Sequence, residues 1–121
     1  MKKHILTVDD ESEIRELLRE ILSASGYRVS GASTVAEAMR VIRDDPPHLI
    51  ITDLQLEEND GFDVVEEAKA LAPQIPIIML TGVLFDAEVV RGPVGEKIAA
   101  YIEKTAPLEK VLQAVRKQLP A

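Results

Sequence analysis

Residues 48–53, His48-Leu49-Ile50-Ile51-Thr52-Asp53, set the architecture. The run follows Pro46-Pro47, is apolar through its middle, and gives way to a polar loop from Gln55 to Gly61. It reads as a strand buried on both faces, which belongs in a parallel sheet covered by helices. Asp53 closes the run. A carboxylate there stands at the carboxyl end of a central strand, where open α/β sheets keep their binding sites.

The neighbouring segments repeat the pattern. Ile5-Leu6-Thr7-Val8 predicts a first strand, ended by Asp9-Asp10. Ile14, Leu17, Leu18, Ile21 and Leu22 recur at helical spacing, so an amphipathic helix is predicted over 11–25, stopped by Gly26. Tyr27 to Gly31 is a weaker strand suited to a sheet edge. Thr34 and Glu37 form a capping-box pattern ahead of Val35, Ala38, Met39 and Ile42, which share one helix face. Beyond Asp53 a third helix is predicted over 61–71, with Phe62, Val65, Ala68 and Leu71 inward. Ile77-Ile78-Met79-Leu80 is the fourth strand, ending at Thr81. Ala99-Ala100-Tyr101-Ile102 is the fifth, with Lys104 just beyond it. Pro107 suits the first turn of a last helix whose inner face is Leu108, Val111, Leu112, Val115 and Leu119.

The stretch between Thr81 and Ala99 should hold a helix by the same alternation. It contains Gly82, Gly92, Pro93 and Gly95, and only Asp86 to Arg91 can form a turn or two. A short or distorted fourth helix and a mobile loop are predicted there. The whole chain, 1–121, reads as one domain: a doubly wound, five-stranded parallel sheet with helices on both faces.

Composition narrows the function. Hydrophobic residues make up 46% of the 121 positions and aromatic residues 3%, so the core is aliphatic. A net charge of -7 argues against gripping nucleic-acid phosphates. The absence of cysteine excludes a disulfide framework, a thiolate zinc site and a cysteine nucleophile. No apolar run has a membrane-spanning length, and the start, Met1-Lys2-Lys3-His4-Ile5, lacks the apolar stretch of a secretion signal. A cytoplasmic location without membrane contact is expected. No Gly-x-Gly-x-x-Gly follows the first strand, which speaks against a dinucleotide-binding domain.

Four strand ends thus deliver Asp9, Asp10, Asp53, Thr81 and Lys104 to one sheet edge. Three carboxylates, a hydroxyl and an ammonium can hold a divalent cation and a phosphoryl group. Mg²⁺ takes one or two carboxylates and keeps several waters. Asp10 and Asp53 can ligate it directly, and Asp9 through water. Asp53 can also act as a nucleophile, since carboxylates form acyl phosphates. Lys104 would then supply positive charge and Thr81 a hydrogen bond to a phosphoryl oxygen. Each residue also has a plainer reading. Acids cap helix N-termini, threonine ends strands, and a loop lysine is solvated. Tyr101, Tyr27 and Phe62 can be packing, and His4 and His48, preceding strands at the opposite edge, are structural.

Taken together these residues resemble the receiver domain of two-component response regulators. The resemblance spans about residues 3 to 119. It rests on Val8-Asp9-Asp10-Glu11, Thr52-Asp53-Leu54, Asp60-Gly61, Leu80-Thr81-Gly82 and Tyr101-Ile102-Glu103-Lys104. It implies the flavodoxin-like strand order 2-1-3-4-5. It also implies that Asp53 is the phosphoacceptor, Asp10 a direct Mg²⁺ ligand and Asp9 a water-mediated one. The backbone carbonyl of Gln55 becomes the remaining protein ligand. Thr81 and Lys104 contact the phosphoryl group, and Tyr101 is the aromatic switch residue.

The implied activity is a signalling switch, not a metabolic enzyme: it would catalyse only its own phosphoryl transfer and dephosphorylation. The implied partners are a sensor histidine kinase or phosphotransfer protein and a downstream effector, with dimerisation open. Glu57 and Thr105 depart from the family, which usually has proline at both places. Two rivals remain: a binding module that signals without phosphorylation, suggested by the atypical 82–95 segment, and an aspartyl-nucleophile hydrolase, for whose substrate cap 121 residues leave little room.

Overall fold

The computed structural model describes residues 2–54, 56, 61–81 and 97–119. Among these, strands β1 (His4–Val8), β2 (Arg28–Ala32), β3 (Leu49–Asp53), β4 (Ile77–Thr81) and β5 (Ala100–Glu103) form one sheet. Helices α1 (Ser12–Ala24), α2 (Val35–Asp44), α3 (Gly61–Leu71) and α4 (Leu108–Gln118) accompany them. The sheet order is β2-β1-β3-β4-β5 and every pairing is parallel. This is the predicted flavodoxin-like topology. The helix expected between Thr81 and Ala99 lies outside the described residues.

Strand alternation sorts the core into two layers. Leu6, Val8, Ile50, Ile77 and Met79 face α2 and α3. Ile5, Leu49, Ile51, Ile78 and Leu80 face α1 and α4. Because side chains alternate along a strand, adjacent residues such as Ile50 and Ile51 feed opposite layers. That is why β3 and β4 are apolar until their carboxyl ends and buried at all five positions.

Local signals explain most element ends. Gly26, at φ +96°, ends α1. The Gly26 amide donates to Ser23 O and the Tyr27 amide to Leu22 O, a Schellman closure that needs a left-handed residue. Thr34 caps α2 by accepting from the Glu37 amide. The reciprocal half of the capping box is missing, because the Glu37 carboxylate accepts from Ser33 Oγ instead. Pro107 occupies the cap position of α4 rather than its first turn.

Helical spacing misplaces two residues. Leu17 is 44% exposed, because α1 points Leu18 and Leu22 at the sheet and Leu17 is turned about 100° from Leu18. Leu71 is 48% exposed. It is the last residue of α3, and Ala72 and Ile75 fill the core where it would have reached. Phe62 is half-buried and packs against the core as expected, while Val64, not predicted, is fully buried. His4 belongs to β1 itself and does not precede it. Its Nε2 bonds Ser30 Oγ and its amide donates to His48 Nδ1, so both histidines tie strands together at the edge away from the acids.

Candidate functional site

The register of the sheet assembles the site. Val8 pairs with Thr52, so the next residue, Asp9, stands level with Asp53. Thr81 pairs with Glu103, and the Lys104 amide donates to Thr81 O at 2.8 Å. Lys104 therefore leaves β5 two strands away from Asp53, a gap of about 10 Å between backbones. The lysine side chain spans β4 and places Nζ 2.8 Å from Asp53 Oδ2 and 3.4 Å from Asp9 Oδ2. Thr81, fully buried, ends the strand between them.

One carboxylate oxygen from each of Asp9, Asp10 and Asp53 lies within 4.8 Å of the others. Asp9 and Asp53 are buried and Asp10 is half-buried. Buried like charges are costly unless a cation or a proton relieves them. Burial pushes the Asp9 carboxyl up to about 6. The Glu11 amide bonded to Asp9 Oδ1 pulls it back, the Asp53 charge pushes it up again, and Lys104 pulls it back. Burial by itself would lower the Lys104 ammonium, but the bond to Asp53 and the charge of Asp9 leave it raised. Lys104 is a fixed cation.

The residues fit a divalent cation. Asp9 Oδ2 is buried without a hydrogen bond, since Lys104 at 3.4 Å is an ion pair at the long limit of bonding distance. The donor set is all oxygen, as Mg²⁺ requires. Gln55, whose carbonyl the resemblance makes a ligand, lies outside the described residues, as do Glu57 and Asp60. Tyr101 is on β5 opposite Met79, half-buried against the core layer under α2 and α3, and burial raises its phenol pKa.

Two residues shape the site through contacts the sequence did not reveal: Arg15, which was not singled out, and Gly61, quoted above only within the Asp60-Gly61 motif. Arg15 Nη1 donates to the Asp9 carbonyl at 2.6 Å. A readable signal existed, because a cation in the first turn of a helix opposes the helix dipole and so calls for another role. Gly61 is the other. Its amide donates to Leu54 O at 2.6 Å, and a Cβ there would collide with the Asp53 carbonyl oxygen. The start of α3 presses on the backbone of the strand end that carries Asp53, and only glycine fits.

Comparison with known proteins agrees with this geometry. Residues 5–116 match the family described as the response regulator receiver domain. The chain is 32% identical over 123 residues to response regulator MprA of Mycobacterium ulcerans (strain Agy99), covering 96% of this chain and 50% of that protein. MprA of Mycobacterium tuberculosis (strain H37Rv) gives the same identity and coverage. The chain thus spans about half the length of these curated relatives.

Among solved structures, the non-phosphorylated HemR receiver domain of Leptospira biflexa superposes with a TM-score of 0.87 at 30% identity, covering 99% of this chain and 96% of that one. A CheY-like receiver domain protein of Methanospirillum hungatei JF-1 gives 0.90 at 29% identity, covering 98% and 94%. Response regulator TrrA of Thermotoga maritima, solved with Mg²⁺-BeF, gives 0.85 at 29% identity, covering 97% and 99%. With the acids, threonine and lysine gathered at one sheet edge, this chain belongs to the response regulator receiver domain family.

Proposed function

We propose that residues 1–121 act as one receiver unit whose Asp53 accepts a phosphoryl group from a sensor histidine kinase or phosphotransfer protein, with Mg²⁺ required. The observation that carries this reading is the Lys104–Asp53 ion pair at 2.8 Å beside two further carboxylates. Asp9, Asp10 and Asp53 would hold the cation, with the Gln55 carbonyl as a further ligand. Bound Mg²⁺ would offset the charge of the carboxylates and of the phosphoryl oxygens.

The chain's own groups do the rest. An Asp53 oxygen forms the new P–O bond as the donor's P–N bond breaks; the departing imidazole nitrogen keeps the electron pair and takes up a proton. Phosphoryl transfer needs placement and charge neutralisation above all. Lys104, already on Asp53, shifts to a phosphoryl oxygen, and Thr81 donates to another. The added group carries about -1.5 to -2 charge. Its contacts favour one of two packings, in which Tyr101 turns further inward and an effector-binding surface changes. The domain is regulatory, and an acidic surface suits a protein partner, not nucleic acid. Among the described residues no helix is long and apolar enough to cross a membrane, and we place the switch in the cytoplasm with its phosphodonor.

Incubation with Mg²⁺ and acetyl phosphate tests the reading. Intact-mass spectrometry should show one added phosphoryl group, absent without Mg²⁺ and absent in Asp53→Asn. Persistent labelling of that variant would move the site elsewhere.

A further inference from the structure

We propose that Arg15 is a positioning residue for the acidic cluster: its bond to the Asp9 carbonyl aims Asp10 at the cation. The inference rests on the Mg²⁺-dependent reading above. A peptide unit is planar, so its six atoms move together. The carbonyl oxygen of Asp9 shares a plane with the amide nitrogen and Cα of Asp10. Holding that oxygen, with Asp9 Cα already fixed, therefore fixes where the Asp10 side chain departs.

Asp9 is fixed on its other sides. Its amide donates to Ala32 O at 3.0 Å, which ties it to the end of β2. Its Oδ1 accepts from the Glu11 amide at 2.9 Å. The turn closed by the Glu11 amide restrains the plane that follows, and Arg15 Nη1 holds its carbonyl directly at 2.6 Å, a short charge-assisted bond. Among the described residues the half-buried Asp10 makes no hydrogen bond or ion pair to a neighbouring side chain, so the peptide plane that places its Cα is its tether to the site.

The arginine is suited to this and to little else. Its stem lies over Gly31, where a Cβ would meet Arg15 Cδ at 3.4 Å and Nε at 3.7 Å. The strand edge is left bare at the place where the arginine crosses it. The rest of the side chain borders an open polar cleft of about 230 Å³ that Ser12, Arg19 and Ser33 also line. Little core packing depends on Arg15, so its replacement should leave the fold intact. Its place in the first turn of α1 works against the helix dipole, a cost that the carbonyl bond offsets.

The test compares wild type, Arg15→Met and Arg15→Lys as full chains. Methionine keeps the apolar stem and removes the donor, while lysine keeps a donor. MgCl₂ titrations followed by backbone amide NMR should show affinity weakened about tenfold in Arg15→Met, the scale typical of residues that orient metal ligands. Arg15→Lys should recover most of it, thermal midpoints should stay together, and saturating Mg²⁺ should return acetyl phosphate labelling of Arg15→Met to the wild-type rate. Without Mg²⁺, the Asp10 amide should shift in Arg15→Met and much less in Arg15→Lys. Unchanged Mg²⁺ affinity, or a loss matched by a fall in thermal midpoint, would overturn the inference. Wild type that binds no Mg²⁺ would instead overturn the function proposed above, while the metal-free Asp10 shift would still report on the positioning.

Discussion

The Lys104 ammonium at the end of β5 stands 2.8 Å from Oδ2 of Asp53 at the end of β3, bridging two strands that are not neighbours in the sheet. The pair offsets the charge of the acidic cluster, because Lys104 faces both buried acids, Asp9 and Asp53. Lys104→Met would leave them without it. In metal-free buffer at neutral pH, urea unfolding should show a loss of about 1–3 kcal/mol. Mg²⁺ should restore part of the loss. Equal stability with and without the lysine would show that the pair contributes nothing.

Asp9 gives the site a pH signature. Its carboxyl is raised from 3.8 to about 6, chiefly by burial. Between those values the native state keeps a proton that the unfolded chain has released. Stability from this group therefore falls as pH rises through that window and is level above it. In metal-free buffer Asp9→Asn should remove the slope and raise stability at neutral pH by about 1–2 kcal/mol. Denaturant titrations of both proteins across the window check this, and an identical slope in the variant would refute it.

His4 acts with the opposite sign. Burial lowers its pKa from 6.5 and the Arg28 charge lowers it further, against a partial offset from Asp45 and the Pro46 carbonyl. The native state resists the proton and the unfolded chain takes it. The contribution is full above 6.5 and is lost as pH falls toward the depressed folded value. The stability gap between wild type and His4→Gln should therefore shrink on acidification below 6.5. A gap that widens would mean that His4 is protonated in the fold.

Gly61→Ala drives a methyl into the Asp53 carbonyl oxygen and places it 3.0 Å from Leu54 Cα. Backbone cannot yield as a flexible side chain does, so α3 must shift or unfold locally. A loss of about 2–3 kcal/mol is expected, together with amide shifts at Asp53 and Leu54. Full stability in the variant would mean that α3 does not press on this strand end.

Much of this was legible in the sequence because it depends on short-range pattern. The apolar runs at 49–51 and 77–80 marked central strands, and Gly26 marked the helix stop that its positive φ later explained. Asp9, Asp10, Asp53, Thr81 and Lys104 fall together as expected because all five end parallel strands of one sheet. What escaped depends on distance. Leu71 sits at helical spacing, but its helix ends there, so spacing alone misplaced it. The place of Arg15 early in its helix hinted at another role but not at its partner, the Asp9 carbonyl, and the Asp60-Gly61 motif did not show the close backbone approach that demands the glycine. Lys104's reach over β4 required the register, which sets it one residue past Glu103.

The phosphoacceptor itself is the most direct test. The chain is treated with acetyl phosphate and Mg²⁺, then with borohydride, which reduces an aspartyl phosphate to homoserine, and peptides are sequenced by mass spectrometry. Homoserine at position 53 is the expected product. Homoserine at position 9 or 10, or a phosphoryl group that survives borohydride on a hydroxyl side chain, would overturn the assignment of Asp53.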